Sequence, residues 1–256
     1  MTTKTERALT KTNPDLLAEA RKLAGTTSGP QDRVSYVKIS YDDAVAPRGN
    51  FIFRRWNKEA EVYEDEDLGP SLEAVVLAHT KQTSQWDHDA GSNIYVSNEF
   101  DDYAELIYLA SDKRLIDKGT YRQLKDKYEG LRLQVVLYLQ VNGQIAKMFL
   151  KGSSIVGFSD YEEISFKNST IQQNQTIFTT TKEKNGAVEY FKLHFEKSEP
   201  QDLEEMIKLS REIRNGIILF QEKFLTDRSE EDPIQEVLPS SESKEEESDM
   251  PENLLF

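Results

Sequence analysis

The sequence predicts a mainly β chain with added helices, an α+β class. It reads as a small antiparallel barrel or sandwich, then a C-terminal helix and a disordered acidic tail. Three observations predict this. Short runs of β-branched and aromatic residues are separated by Gly- and Asn-based turns. One stretch near the end carries apolar residues at helical spacing. Negative charge is concentrated in the last thirty residues. A chain of 256 residues, 37% hydrophobic and 10% aromatic, is long enough for one or two domains with a real core.

Residues 1–30 read as a flexible arm holding one short helix. Asn13 is a good N-cap, Pro14 fits the first helical position, and Asp15 suits the positive end of the dipole. Leu16, Leu17, Ala20 and Leu23 share a face, and Gly25 supplies the stop. Residues 31–200 form the β-rich body. Strands are expected at 34–41, 51–56, 74–79, 94–96, 131–141 and 145–151. Asn142-Gly143 between the last two is a strong hairpin signal. A second hairpin should join 177–182 to 188–195 across Lys184-Asn185-Gly186. Residues 111–129, with Leu115, Ile116, Leu124 and Tyr128, read as a helix across one end. Residues 201–225 read as the C-terminal helix, since Leu203, Met206, Ile207, Ile213, Ile217, Phe220 and Phe224 recur at helical spacing. It would pack on the body or pair with a second copy.

Charge sets the next limits. Eleven of the 46 acids and two of the 32 bases fall in residues 226–256. That is a net −9, leaving −5 of the total −14 on residues 1–225. So polar a segment buries too little to offset about 1–2 kcal/mol of backbone entropy per residue, and disorder is expected. Its tip is different: Leu254, Leu255 and Phe256 follow Asp249 and Glu252. An aromatic flanked by acids has the chemistry of a ligand for a basic-rimmed apolar pocket. A plain solubility tail is the alternative.

The chain has no cysteine, so disulfides, thiolate zinc sites and cysteine nucleophiles are excluded. No apolar run is long enough to span a membrane, no secretory signal opens the chain, and a cytoplasmic protein is expected. Phosphate loops, nucleophile elbows and zinc-protease motifs are absent, so no enzyme is expected. The Asp87-His88-Asp89 triplet is too slight for a metal site, and neither cofactor nor metal is expected.

The most informative stretch is 48–58. It holds Arg48, Arg54, Arg55 and Lys58 with Phe51, Phe53 and Trp56, and no acid. The next fifteen residues hold seven acids and no base, a segregation suggesting different surroundings for the two segments. On a strand, Phe51, Phe53 and Arg55 share one face, and Ile52, Arg54 and Trp56 the other. Unpaired bases stack on such rings while cations meet phosphates. Equally, the rings could be core and the arginines surface residues. Lys147, Lys151 and Lys182 could extend a cationic groove, with Trp86 and Tyr95 as further stacking platforms. Gly152-Ser-Ser154 reads as a tight backbone passage.

A β-rich body with a basic-aromatic strand and an acidic tail tipped by Phe256 resembles bacterial and phage single-stranded DNA-binding proteins. The resemblance covers the last dozen residues and the general design. In the bacterial tip a proline directly precedes the final Phe, whereas here Pro251 lies five positions earlier. The resemblance implies an oligonucleotide/oligosaccharide-binding (OB) barrel that coats single strands, DNA or RNA, in a bacterial or phage-infected cell. It also implies that Asp249, Glu252 and Phe256 recruit replication or recombination proteins. Leu254 and Leu255, which intervene before the Phe and depart from the family's tip, join that surface on the ligand reading of the apolar cluster. The competing expectation is an acidic adaptor or virion-associated protein that binds no nucleic acid. A DNA mimic would suit the charge but leaves residues 48–58 unexplained.

Overall fold

A computed structural model describes residues 34–57, 59–87, 91–111, 114–186 and 188–229. Eleven strands and three helices occur among them. In chain order they are β1 (Tyr36–Ile39), β2 (Phe51–Asn57), β3 (Val62–Gly69), β4 (Ser71–Asp87), β5 (Ser92–Ser97), β6 (Ile107–Ser111) and β7 (Arg114–Gly119). Then come α1 (Tyr121–Lys127), β8 (Arg132–Val141), β9 (Gln144–Lys151), α2 (Ser153–Ser165), β10 (Asn174–Asn185), β11 (Val188–Pro200) and α3 (Leu203–Ser229). The helix expected near Asn13 and the tail beyond Ser229 lie outside the described residues.

The mainly β, α+β class holds, but the expected barrel does not. The sheet is open, ordered β3-β2-β1-β9-β8-β4-β5-β6-β7, with β10 joined to β4 and β11 to β10. The cause is β4, 17 residues long. It pairs with β10 through Ser71–Ala74, with β8 through Val75–Ser84 and with β5 through Ser84–Asp87. A strand shared among three partners branches the sheet, and β3 and β7 end as separate edges.

Both expected hairpins form. Asn142 and Gly143 take φ of 49° and 75°, the left-handed pair a two-residue turn between β8 and β9 requires. β10 and β11 pair from Asn174↔Pro200 to Asn185↔Val188. The single helix expected over 111–129 is instead a strand pair, β6–β7, followed by the short α1. Ile107, Leu109 and Ala110 are buried, and the chain turns helical only after Thr120, whose side chain caps it in a reciprocal box with Gln123.

Three apolar clusters hold these elements together. The largest joins one sheet face to α2 and the β10–β11 pair through Val37, Phe51, Phe53, Leu137, Met148, Phe158 and Phe178. A second lies under α3, where Met206, Ile213 and Ile217 meet Val75, Leu77, Val136 and Tyr138. The third packs α1 against β6 through Leu124, Ile107 and Leu109. Thus α2 and α3 lie over opposite faces of β8, and no described helix packs on much of the β3-β2-β1-β9 surface on the α3 side.

Candidate nucleic-acid interface

The site is decided at β2. Phe51 and Phe53 are 0% and 4% exposed and belong to the main core. They are sealed, so the expectation that they stack bases is overturned. Their strand parity puts Arg54 and Trp56 on the other face, where both are half-buried. Arg55 is exposed and paired to Glu64 at 2.9 Å. That pair and Asn57 hold the Glu64 carboxyl below its usual range, the Asn57 hydrogen bond contributing most.

The segregation of bases in 48–58 from acids in 59–73 is also reinterpreted. The two segments are adjacent antiparallel strands, Arg54 opposite Asp65 and Arg55 opposite Glu64. What is segregated in sequence becomes cross-strand pairing in space. Asp65 bridges Arg54 Nε at 2.9 Å and Lys38 Nζ at 3.1 Å. Arg54 Nε and Asp65 Oδ1 are buried and close, yet lack hydrogen-bond alignment, so the contact is Coulombic.

Sheet register then assembles a row across five strands. Asp65 lies opposite Arg54, Arg54 opposite Tyr36, Tyr36 opposite Lys147, and Lys147 opposite Tyr138. Rings flank the row. Trp56 meets Tyr63 edge-on at 5.0 Å, and Tyr63 meets Tyr36 at 5.8 Å. The Arg54 guanidinium lies 5.1 Å from the Tyr63 ring centre. Further along β9, Phe149 is 40% exposed and Lys151 is exposed. Their strand parity matches Lys147, because the intervening Ala146, Met148 and Leu150 face the core. Arg132, two residues from the buried Gln134 that lies opposite Lys151, adds an exposed cation. Among the described residues no ion pair engages Lys151 or Arg132.

Lys147 is committed. Its ammonium lies 2.7 Å from Glu99, a carboxylate 1% exposed, which also accepts from Thr80 Oγ1 at 2.6 Å and the Tyr138 hydroxyl at 2.8 Å. Burial first, and then the facing Glu99 charge, push the Tyr138 phenol far above its ordinary value. From α3, Phe220 brings its ring 5.2 Å from the same ammonium, and Gln221 donates to the Glu99 carbonyl. α3 therefore borders the face where Lys147 lies.

Of the expected site residues, this face gathers Arg54, Trp56, Lys147 and Lys151. Arg48 is exposed in the loop before β2, its backbone N–H donating to Asp43. Lys182 sits on the β10–β11 pair, bound to Glu189 at 2.8 Å. Tyr95 packs edge-on against Tyr128 at 5.2 Å beside the third cluster, a structural role. Trp86 is 48% exposed near the end of β4, apart from the row. Gly152 starts α2 with φ of 57°, so the supposed passage is a helix entry. Lys58, Asp249, Glu252, Leu254, Leu255 and Phe256 lie outside the described residues. Sequence reasoning missed Tyr36, Lys38, Tyr63, Arg132 and Phe149. The alternation of Tyr36 and Lys38 in β1 was visible, but not which strands would flank it.

No protein-family model, curated protein or solved structure matches this chain. Among the described residues no helix is long and apolar enough to cross a membrane, and no cluster of His, Asp and Glu is arranged to hold a metal ion.

Proposed function

We propose that this chain is a non-enzymatic single-stranded nucleic-acid-binding protein, of the kind that coats unpaired DNA during replication or recombination. The observation that carries this reading is the face of β3, β2, β1, β9 and β8. There Trp56, Tyr63, Tyr36 and Phe149 share one side of the sheet with Lys38, Arg54, Arg132, Lys147 and Lys151. Rings offer stacking to any base, and cations meet phosphates without reading sequence. Lys151 and Arg132 are ready for a phosphate; Arg54 and Lys38 would exchange Asp65 for one. Residues 249–256 would then recruit replication or recombination proteins, as the resemblance implies.

An acidic adaptor without nucleic-acid binding is the second reading. It is favoured by one observation: Asp65 and Glu99 already engage three of the five cations on the face in ion pairs. Fluorescence anisotropy with labelled oligo-dT and with duplex separates the two. The expected outcome is preference for oligo-dT, weakened about five- to tenfold by Trp56→Ala or Phe149→Ala, each a ring worth roughly 1–3 kcal/mol when fully engaged. Trp86→Ala should leave binding unchanged. Absence of binding to either polymer selects the adaptor.

A further inference from the structure

α3, the end of α2 and the 3-10 turn at Ile171–Gln173 close over part of β4 and leave a cleft of about 640 Å³. No residue of the sheet face described above lines it. Its floor is apolar, with Phe166 and Ile171 buried and Ile207 42% exposed. Its rim carries Arg211, Arg214 and Glu162. Two of these are occupied. Arg214 donates to Asp101 at 2.7 and 3.0 Å and to the His79 carbonyl at 3.1 Å, and Glu162 meets His79 Nε2 at 3.1 Å. Arg211 is exposed, and among the described residues no carboxylate pairs with it. An apolar floor beside an uncommitted guanidinium selects an acidic segment bearing neighbouring large apolar side chains.

This chain contains such a segment. We propose that the cleft is the resting dock of residues 252–256 of the same chain. Leu254, Leu255 and Phe256 fill the floor, and Glu252, with Asp249, meets Arg211. Reach permits it. From Ser229 to Glu252 is 23 residue steps, about 75–80 Å when extended, whereas Ile207 lies 22 residues back along α3, about 33 Å. Tethering holds the segment at roughly millimolar effective concentration, so weak docking suffices. A protein recruited through the same residues must first lift them from the cleft. The inference concerns partner recruitment and stands apart from nucleic-acid binding.

The cysteine-free sequence makes the test clean. In the full chain, Asn253→Cys is combined with Thr170→Cys at the cleft, or with Glu66→Cys on β3 as control. Disulfide formation is then timed under mild oxidation in dilute solution. The cleft pair should close within one molecule at least tenfold faster than the control. Adding Arg211→Glu with Leu254→Asp should remove most of that advantage, while thermal unfolding shows the body still folded. Equal rates at the two positions overturn the proposal. A cleft disulfide forming only between molecules, at a rate rising with protein concentration, also overturns it and assigns the cleft to a second copy. Neither outcome depends on whether oligo-dT binds.

Discussion

The Lys147 ammonium and the buried Glu99 carboxylate form an ion pair of 2.7 Å, with only 16% and 1% of the two side chains exposed. Removing one partner leaves the other charged in a poorly solvated place, which destabilises by several kcal/mol. Lys147→Met should therefore lower unfolding stability by about 3 kcal/mol, read from urea midpoints at constant slope. Lys151→Met, on the same strand but exposed and without an ion pair among the described residues, should change it by less than about 0.5 kcal/mol. Combining Lys147→Met with Glu99→Gln should recover part of the loss.

Affinity for oligo-dT should fall only modestly with salt. Four cations of the face are the largest set that could meet phosphates: Arg132 and Lys151 directly, Lys38 and Arg54 only by exchanging Asp65. The slope of log affinity on log salt should be about −2 to −3, from roughly −0.7 per phosphate on single strands. Arg132→Glu with Lys151→Glu should bring it near −1. A wild-type slope steeper than −5 would place the interface elsewhere.

Two glycines with the same backbone demand should respond differently to alanine. Gly49 has φ of 96°, and an added Cβ would lie 2.8 Å from the Phe191 ring. Gly69 has φ of 86°, and no atom of the described residues would lie within 4 Å of an added Cβ. Gly69→Ala should cost about 1 kcal/mol from backbone conformation alone. Gly49→Ala should cost distinctly more, because the loop before β2 must lift from β11. Paired thermal melts measure the difference.

The Glu162 carboxyl is held below its ordinary value, first by the hydrogen bond from His79 and then by its charge and that of Lys81, against the opposing effect of burial. A depressed carboxyl stabilises the fold above its unfolded value, near 4.3, and loses that contribution as pH falls through the folded value. The stability difference between wild type and Glu162→Gln should thus be full at pH 6 and vanish toward pH 3. Melts across that range test it, and a difference independent of pH would show the contact to be uncharged.

Much of the β layout was legible because Asn-Gly and Lys-Asn-Gly punctuate it. The long helix was legible because its apolar residues keep one period. β3 was not. Four of its eight residues are acids at positions 64–67, a composition that opposes a strand until β2 supplies Arg54 and Arg55 across the ladder. α2 was hidden for a different reason. Val156 and Ile164 are 62% and 78% exposed while Phe158 and Tyr161 are buried, so apolar residues on both sides blur its period. The closed barrel failed because strand signals carry no information on a third partner for β4. At the site, residue types were right in β2 and β9, but parity alone decides which rings are sealed. The sequence cannot reveal parity before a core is chosen.

The parallel join between β1 and β9 is short, with Tyr36 opposite Lys147 and Val37 opposite Met148 as its register pairs. On one side of that seam sits the aromatic leaf of β1, β2 and β3; on the other lie Phe149, Lys151 and Arg132. A polymer laid across both would stitch the leaf to the rest of the sheet. Amide protons of Tyr36–Ile39 and Phe51–Asn57 would then exchange more slowly once the strand is in place, because opening there would have to break contacts on two sides at once.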